Sequence, residues 1–301
     1  MRRIAALVLF ALLWLAGFAG AAHMHKHPCR HHGCPTTTTT PTTATTPTTT
    51  TTPGGGYTHV VWIVMENHSY SQIIGSSSAP YINSLAQTYG NAENMSAESH
   101  PSLPNYIAMT SGSTQGITDD SGPSAHPLDV PNIFTQLGTG SRALEESMPS
   151  SCDQGDGGDY AVRHDPAVYY TNFVQCSTQV VPLGATPDLS AQFTFITPNL
   201  CDDMHDCSVA TGDQWLQGFV PKMLATPEYT SGSTVIFITW DEGSGDNHIP
   251  TLVISPTTNA IGSATAFSHY SLLRTTEEIL GLPLLAGAQS ANSMLAAFNL
   301  G

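Results

Sequence analysis

Hydrophobic positions in this chain follow two rhythms. His59–Met65 (HVVWIVM) is an unbroken apolar run rich in β-branched residues, the pattern of a strand buried on both faces. Phe193–Thr197, Thr234–Thr239 and Thr251–Ser255 repeat it. Between them the spacing turns helical. Helices are predicted over Pro80–Tyr89, stopped by Gly90, and over Val130–Leu137, stopped by Gly138. Two more are predicted over Gln214–Leu224, behind a cap at Asp213, and over Ser271–Leu280, stopped by Gly281 and Pro283. Buried strands alternating with helices imply an α/β fold with a mostly parallel sheet, in which ligands gather at the carboxyl ends of the strands. Residues 139–192, rich in Gly, Ser, Pro and Asp, read as a long loop region.

The amino-terminal part follows other rules. Arg2 and Arg3, an apolar run from Ile4 to Phe18 and Ala19-Gly20-Ala21 have the three-part pattern of a secretory signal peptide, residues 1–21. Residues 22–56 hold a His-rich stub (HMHKHPCRHHGC, His23–Cys34) and a Thr/Pro/Gly linker that lacks the apolar content to build a core. The folded domain is expected over residues 57–301, in a secreted, periplasmic or cell-surface location, with no later segment apolar and long enough to span a membrane. Six cysteines in the exported part fit up to three disulfides. Neighbour pairing (29–34, 152–176, 201–207) is the expectation, though six cysteines allow 15 connectivities.

Charge narrows the function. The 301 residues carry a formal net charge of −15. Residues 57–301 hold four cations against all 23 acids, a formal −19. That excludes a nucleic-acid phosphate binder, which needs clustered Lys and Arg. An anion handled here must be met mainly by a metal ion or by backbone N–H groups.

The first strand runs into Glu66-Asn67-His68-Ser69 and the third into Trp240-Asp241-Glu242-Gly243. Three carboxylates and an amide at strand ends make an oxygen-rich site for Mg²⁺, Mn²⁺ or Ca²⁺, or for iron or zinc with mixed ligands. Glu98-Ser99-His100-Pro101-Ser102-Leu103-Pro104-Asn105-Tyr106 places Ser102 beside a helix N-terminus, either as a cap or as a hydroxyl activated for attack on phosphorus. In Pro198–Cys207, His205 sits in a short cysteine-bounded loop among Asp202, Asp203 and Asp206, whose charges are expected to keep it protonated as a general acid. His248 and His269 either face the same edge or are structural.

The strings VMENHSY, SHPSLPNY, TPNLCDDMHDC, ITWDEG and SHYSLLRTTEEILGLP fall in that order across residues 64–283. Together they resemble the bacterial phosphoesterase family of secreted acid phosphatases and phospholipase C enzymes. The resemblance implies an alkaline-phosphatase-like, three-layer α/β/α sandwich. A remoter likeness to nucleotide pyrophosphatase/phosphodiesterases implies Ser102 as nucleophile and Asn105 as a donor to a phosphoryl oxygen. Those enzymes have Asp-His where this chain has Asp241-Glu242, and the resemblance to secreted acid phosphatases implies one divalent metal instead of two. That metal would be held by Glu66, Asn67, Asp241 and Glu242 with Ser102. His205 and His269 would then serve the leaving group, and His100, Asp203, Asp206 and His248 complete the candidate set.

The expected function is a secreted, metal-dependent acid phosphatase that hydrolyses phosphate monoesters, phosphoinositides among them, through a seryl phosphate. The alternative within enzymes is a phospholipase C-type phosphodiesterase. The alternative outside them is a non-enzymatic metal-binding surface protein on a Thr/Pro stalk.

Overall fold

The structure, a computed structural model, describes residues 56–301. The proposed signal peptide, the His-rich stub, nearly all of the Thr/Pro linker and the expected 29–34 disulfide lie outside the described residues.

An eight-stranded sheet forms the centre. Its strands are β1 (His59–Met65), β2 (Gly90–Ala92), β4 (Ser141–Glu145), β5 (Val180–Pro182), β6 (Phe193–Thr197), β7 (Thr234–Trp240), β9 (Thr251–Ile254) and β10 (Ile261–Ser263). They lie in the order β10-β2-β9-β7-β1-β6-β4-β5. β9 is antiparallel to both of its neighbours, and every other adjacent pair is parallel. A three-stranded sheet of β3 (Met95–Ser96), β8 (His248–Ile249) and β11 (Phe267–Ser268) lies beside it. In β1 every residue from Val60 to Met65 is at most 1% exposed. Successive side chains point to opposite faces, so both faces are covered, as the unbroken apolar run predicts.

The helices are α1 (Tyr70–Ile73), α2 (Pro80–Thr88), α3 (Ser102–Ser111), α4 (Ile133–Leu137), α5 (Cys176–Gln179), α6 (Val209–Leu224), α7 (Pro227–Thr230) and α8 (His269–Leu280). α2 packs on α6 and α3 on α8. Trp62 of β1 reaches α8, its Nε1 donating to Thr276 Oγ1 at 3.0 Å. Among the described residues no helix is long and apolar enough to cross a membrane.

Several predicted boundaries move. α6 begins at Val209, where Ser208 caps it by accepting from Thr211 N. Asp213 lies inside α6 and caps a different helix: its carboxylate accepts from Tyr81 N and Ile82 N at the start of α2. α4 starts at Ile133 because Asn132 caps it, and α8 starts at His269 because Ser268 does. Residues 139–192 are not all loop. They supply β4 and β5, which extend the sheet beyond β6. The Cys152–Cys176 and Cys201–Cys207 disulfides are both formed.

Strand register positions the chemistry. β1 and β7 run side by side with Met65 opposite Trp240. Glu66 and Asp241 therefore leave adjacent strands at the same level. Asp241 N continues the ladder by donating to Met65 O at 2.9 Å. On the other side of β1, Glu66 N donates to Asp203 O at 2.9 Å, bringing in the loop after β6.

Candidate active site

Glu66 is fully buried and central. Its Oε1 accepts from Tyr106 Oη at 2.5 Å, and its Oε2 accepts from Ser102 Oγ and Asn67 Nδ2, each at 3.2 Å. Asn67 has a positive φ of 56°, a conformation Asn tolerates, and that turn aims its backbone N–H at Asp241 Oδ1, 2.9 Å away. Glu66, Asn67, Ser102 and Asp241 thus converge, and the Glu242 charge acts on both Glu66 and Asp241.

Burial and mutual repulsion push these acids up. Glu66 lies well above the usual carboxylate range through burial, then through Asp241 and Asp203. Asp241 is pushed up to about 8 by burial and Glu242, Glu242 to about 7 by burial and Asp120, and Asp203 to about 7 by burial. Asp241 Oδ2 is buried with no hydrogen-bond partner. An unpartnered acceptor among clustered carboxylates, an amide and a hydroxyl is a donor set that fits a hard divalent cation.

Ser102 is the first residue of α3, behind Pro101 at the N-cap, so it is not itself the cap. Its neighbours shape the terminus. Leu103 N donates to Asp120 Oδ1 at 2.9 Å, and Pro104 carries no N–H. Free helix amides are therefore fewer than a bare N-terminus would offer, and the Ser102 N–H is the one that no side chain occupies.

Asn105 does not match its expected role. Its Oδ1 accepts from Glu98 N at 3.0 Å and Ser99 N at 2.9 Å. Its Nδ2 donates to Ser99 O at 2.9 Å and Pro101 O at 3.1 Å, with Glu242 Oε2 at 3.4 Å. Both amide hydrogens have backbone acceptors, so Asn105 holds the Glu98–Pro101 loop in place and has none left for a phosphoryl oxygen.

The histidines divide. His205 lies beside the Glu66 carboxylate, and both of its ring nitrogens have partners. Arg163 Nη2 approaches its Nε2 at 3.1 Å, and its Nδ1 lies 2.7 Å from Asp206 Oδ1. A guanidinium can only donate, so Nε2 accepts and the proton sits on Nδ1, donated to Asp206. The general-acid expectation finds no free ring proton in this arrangement: Nδ1–H is engaged by Asp206 and the Nε2 lone pair by Arg163. His269 is fully buried, its Nε2 donates to Trp240 O at 3.0 Å, and burial lowers its pKa. It is therefore a neutral ring braced under β7 rather than a proton donor to a leaving group. His248 is not brought to the carboxylates. It stacks on Tyr70 at 4.6 Å and bonds Glu93 O at 2.9 Å. His100 Nδ1 lies 3.0 Å from Glu242 Oε2, with about half of its side chain exposed. Asp203 is buried and accepts from His205 N at 2.7 Å, while Asp206 is exposed.

Three residues were missed in the sequence reading. His164 is buried, stacks on Tyr106, and places Nε2 3.3 Å from Glu66 Oε1 and Nδ1 3.4 Å from Asp203 Oδ2. The angles do not make either contact a hydrogen bond. Burial, then Arg163 and His205, push its pKa well below the usual range, so the ring is neutral. Ring nitrogens of His164 and His205 and a Glu66 oxygen lie within 4.8 Å of one another, a grouping among the described residues able to hold a cation. The third missed residue, Tyr106, has a legible signal: it follows Ser102 by four, on the same helix face. For Arg163 and His164 the signal is a dense Arg-His-Asp triplet between two apolar stretches in a segment otherwise read as loop.

Comparison with known proteins follows the geometry. A sequence model of the Phosphoesterase family matches residues 191–283. The phosphatidylinositol-3-phosphatase of Mycobacterium tuberculosis is 36% identical over 246 residues, covering 78% of this chain and 81% of that protein. An acid phosphatase of Aspergillus fumigatus is 28% identical over 218 residues, and the match covers 64% of this chain and 48% of that longer protein. Among solved structures, a protein in the alkaline phosphatase superfamily from Vibrio parahaemolyticus superposes with a TM-score of 0.55 at 11% identity, covering 82% of this chain and 73% of that chain. A lipoteichoic acid synthase from Listeria monocytogenes gives 0.53 at 11% identity, covering 78% and 76%. At such identity these likenesses speak to fold, and the fold is the alkaline-phosphatase-like α/β architecture.

Proposed function

The chain belongs to the phosphoesterase family, and from that premise we propose that it is a metal-dependent phosphoric monoester hydrolase working through a seryl phosphate on Ser102. One observation carries this reading: the Ser102 hydroxyl sits 3.2 Å from Glu66 Oε2, at the start of a ten-residue helix and among buried carboxylates that repel one another.

Glu66, Asn67, Asp241 and Glu242 would hold the divalent cation beside Ser102. Bound there, it would offset the carboxylate charge and favour the ionised hydroxyl. Ser102 Oγ gives up its proton to solvent and forms the new P–O bond as the ester P–O bond breaks, and the departing alkoxide takes a proton from water. The Ser102 N–H, at the positive end of α3, donates to a phosphoryl oxygen. Once Arg163 turns aside, His205 Nε2 takes a proton from the water that then frees phosphate from Ser102. Asp206 on Nδ1 orients the ring and stabilises the charge it gains. Tyr106 and His164 fix the far side of Glu66. The two disulfides fit action outside the reducing cytoplasm. Phosphoinositides enter as substrates by way of the mycobacterial relative's name.

Ser102→Ala tests the reading. Turnover of an aryl phosphate monoester should fall by about 10³-fold or more with thermal stability kept. Acid quench of the wild type during turnover should trap phosphate on the peptide holding Ser102. Residual activity above about a tenth of wild type would remove Ser102 from the scheme, since loss of a nucleophile costs orders of magnitude.

A further inference from the structure

We propose that Asp120 is an electrostatic gate on this site: its carboxylate, standing beside the nucleophile, limits how tightly the site retains a phosphate dianion, the product included; this rests on the phosphatase reading above. Asp120 Oδ1 accepts from Leu103 N at 2.9 Å, and Leu103 directly follows Ser102. Covalent geometry keeps Leu103 N within about 5 Å of Ser102 Oγ. A carboxylate oxygen therefore lies within roughly 8 Å of the hydroxyl that would carry the phosphoryl group.

That carboxylate has no cationic partner. No ion pair among the described residues includes Asp120, whereas the preceding Asp119 meets His126 at 2.8 Å. Asp120 is exposed, yet its field reaches both flanks of the site. After burial, its charge is what raises Glu242, and it acts on His164 as well. The chain on either side is held in place. Ile117 is buried, and Ser121 O accepts from Tyr169 Oη at 3.2 Å.

Capping alone does not account for the residue. Asp213 is the comparison within the molecule: it is buried and caps α2 with both oxygens, at Tyr81 N and Ile82 N. Asp120 makes one such bond, from the solvent side, at the helix that carries the nucleophile. A neutral acceptor would serve that bond as well; the charge is what an acid adds. A phosphate monoester brings about two negative charges near neutral pH, and inorganic phosphate is similar. Across about one Debye length the repulsion is only partly screened, so it weakens retention of the dianion.

The test uses the full chain, with p-nitrophenyl phosphate as substrate and inorganic phosphate as inhibitor. Asp120→Asn keeps an acceptor for Leu103 N and removes the charge. At low salt the inhibition constant of phosphate should fall by about fivefold or more, and KM should fall with it. Salt at about 0.5 M should shrink the difference from wild type to less than about twofold, which a change in a neutral hydrogen bond would not do. Asp120→Glu, which keeps the charge, should stay within about twofold of wild type, and so should Asp119→Asn, whose carboxylate already faces His126. If the Asn variant unfolds, Asp120→Ser supplies a neutral acceptor for the same measurement. Phosphate inhibition that is unchanged or weaker in Asp120→Asn, a difference indifferent to salt, or equal effects from Asp120→Glu or Asp119→Asn would overturn the gate. A wild type that turns over no monoester would instead sink the phosphatase reading, and phosphate binding by calorimetry still reads the gate in that case.

Discussion

The Tyr106 hydroxyl donates to Glu66 Oε1 across 2.5 Å, and this contact divides the Glu66 carboxylate into a tethered side and a working side that faces Ser102. Both residues are fully buried. Burial, together with the Glu66 charge, keeps the phenol protonated and so a permanent donor. In return the hydrogen bond favours the ionised form of Glu66 against a surrounding field that opposes it.

Tyr106→Phe removes that donor and little volume. The expected result is divalent-cation affinity about tenfold or more weaker, in line with other partners that orient a ligand from behind. Calorimetric titration of metal-free protein checks it. Unchanged affinity would show that Glu66 is not a ligand, or that His164 suffices to hold it.

Asn105→Ala separates anchoring from catalysis. It removes four backbone contacts from a fully buried amide. The expected cost is roughly 2–4 kcal/mol of stability, because buried donors and acceptors are left unpaired. Denaturant unfolding reads it out. A variant of full stability with selectively reduced kcat would restore the phosphoryl-donor role.

Removal of divalent cations should make stability depend on pH in a definite direction. Asp203 and Glu242 titrate near 7 and Asp241 near 8 in the folded chain, above the ordinary carboxyl value. The folded state therefore holds protons that the unfolded chain has released. Stability is fully present below about pH 4 and is lost as pH rises through about 7 to 8. Chelator-treated protein should accordingly melt at lower temperature at about pH 8 than at about pH 5, and added cation should restore the loss. A flat profile in chelator would argue against the carboxylate cluster.

Glu277 offers the same test away from the site. Burial pushes it to about 8, and its two oxygens accept Leu285 N at 3.1 and 3.2 Å. Gln at this position keeps an acceptor and removes the charge. Glu277→Gln should match wild type at low pH and exceed it in stability above about pH 8, where the wild-type carboxylate is ionised and buried. Equal melting temperatures throughout would place Glu277 in contact with solvent.

The residues that follow β1 and β7 were legible because a strand buried on both faces must be apolar throughout, so its end is announced by the first charged residue. Glu66 and Asp241 stand at such ends. The first-turn proline and the strings around Ser102 marked α3 in the same way, and pairing of nearby cysteines in the 201–207 loop needed only short chain closure. Asp213 was misread because a capping carboxylate looks the same whether it serves its own helix or another, and here it serves α2, 131 positions back at Ile82.

Sequence by itself determined the strand cores, the helix stops, the acidity of the domain and the residue types gathered at strand ends, since each depends on neighbours within a few positions. Only the tertiary structure decided that Arg163 and His164, from a segment without periodicity, reach Glu66 and His205, that Asn105 anchors a loop, and that His269 lies buried beneath the site. Those outcomes depend on sheet order and register. The bond from Asn67 N to Asp241 Oδ1 spans 174 positions and exists because β1 and β7 are paired in parallel. Local patterning encodes which strands form; the packing free energy of the whole sheet selects which become neighbours.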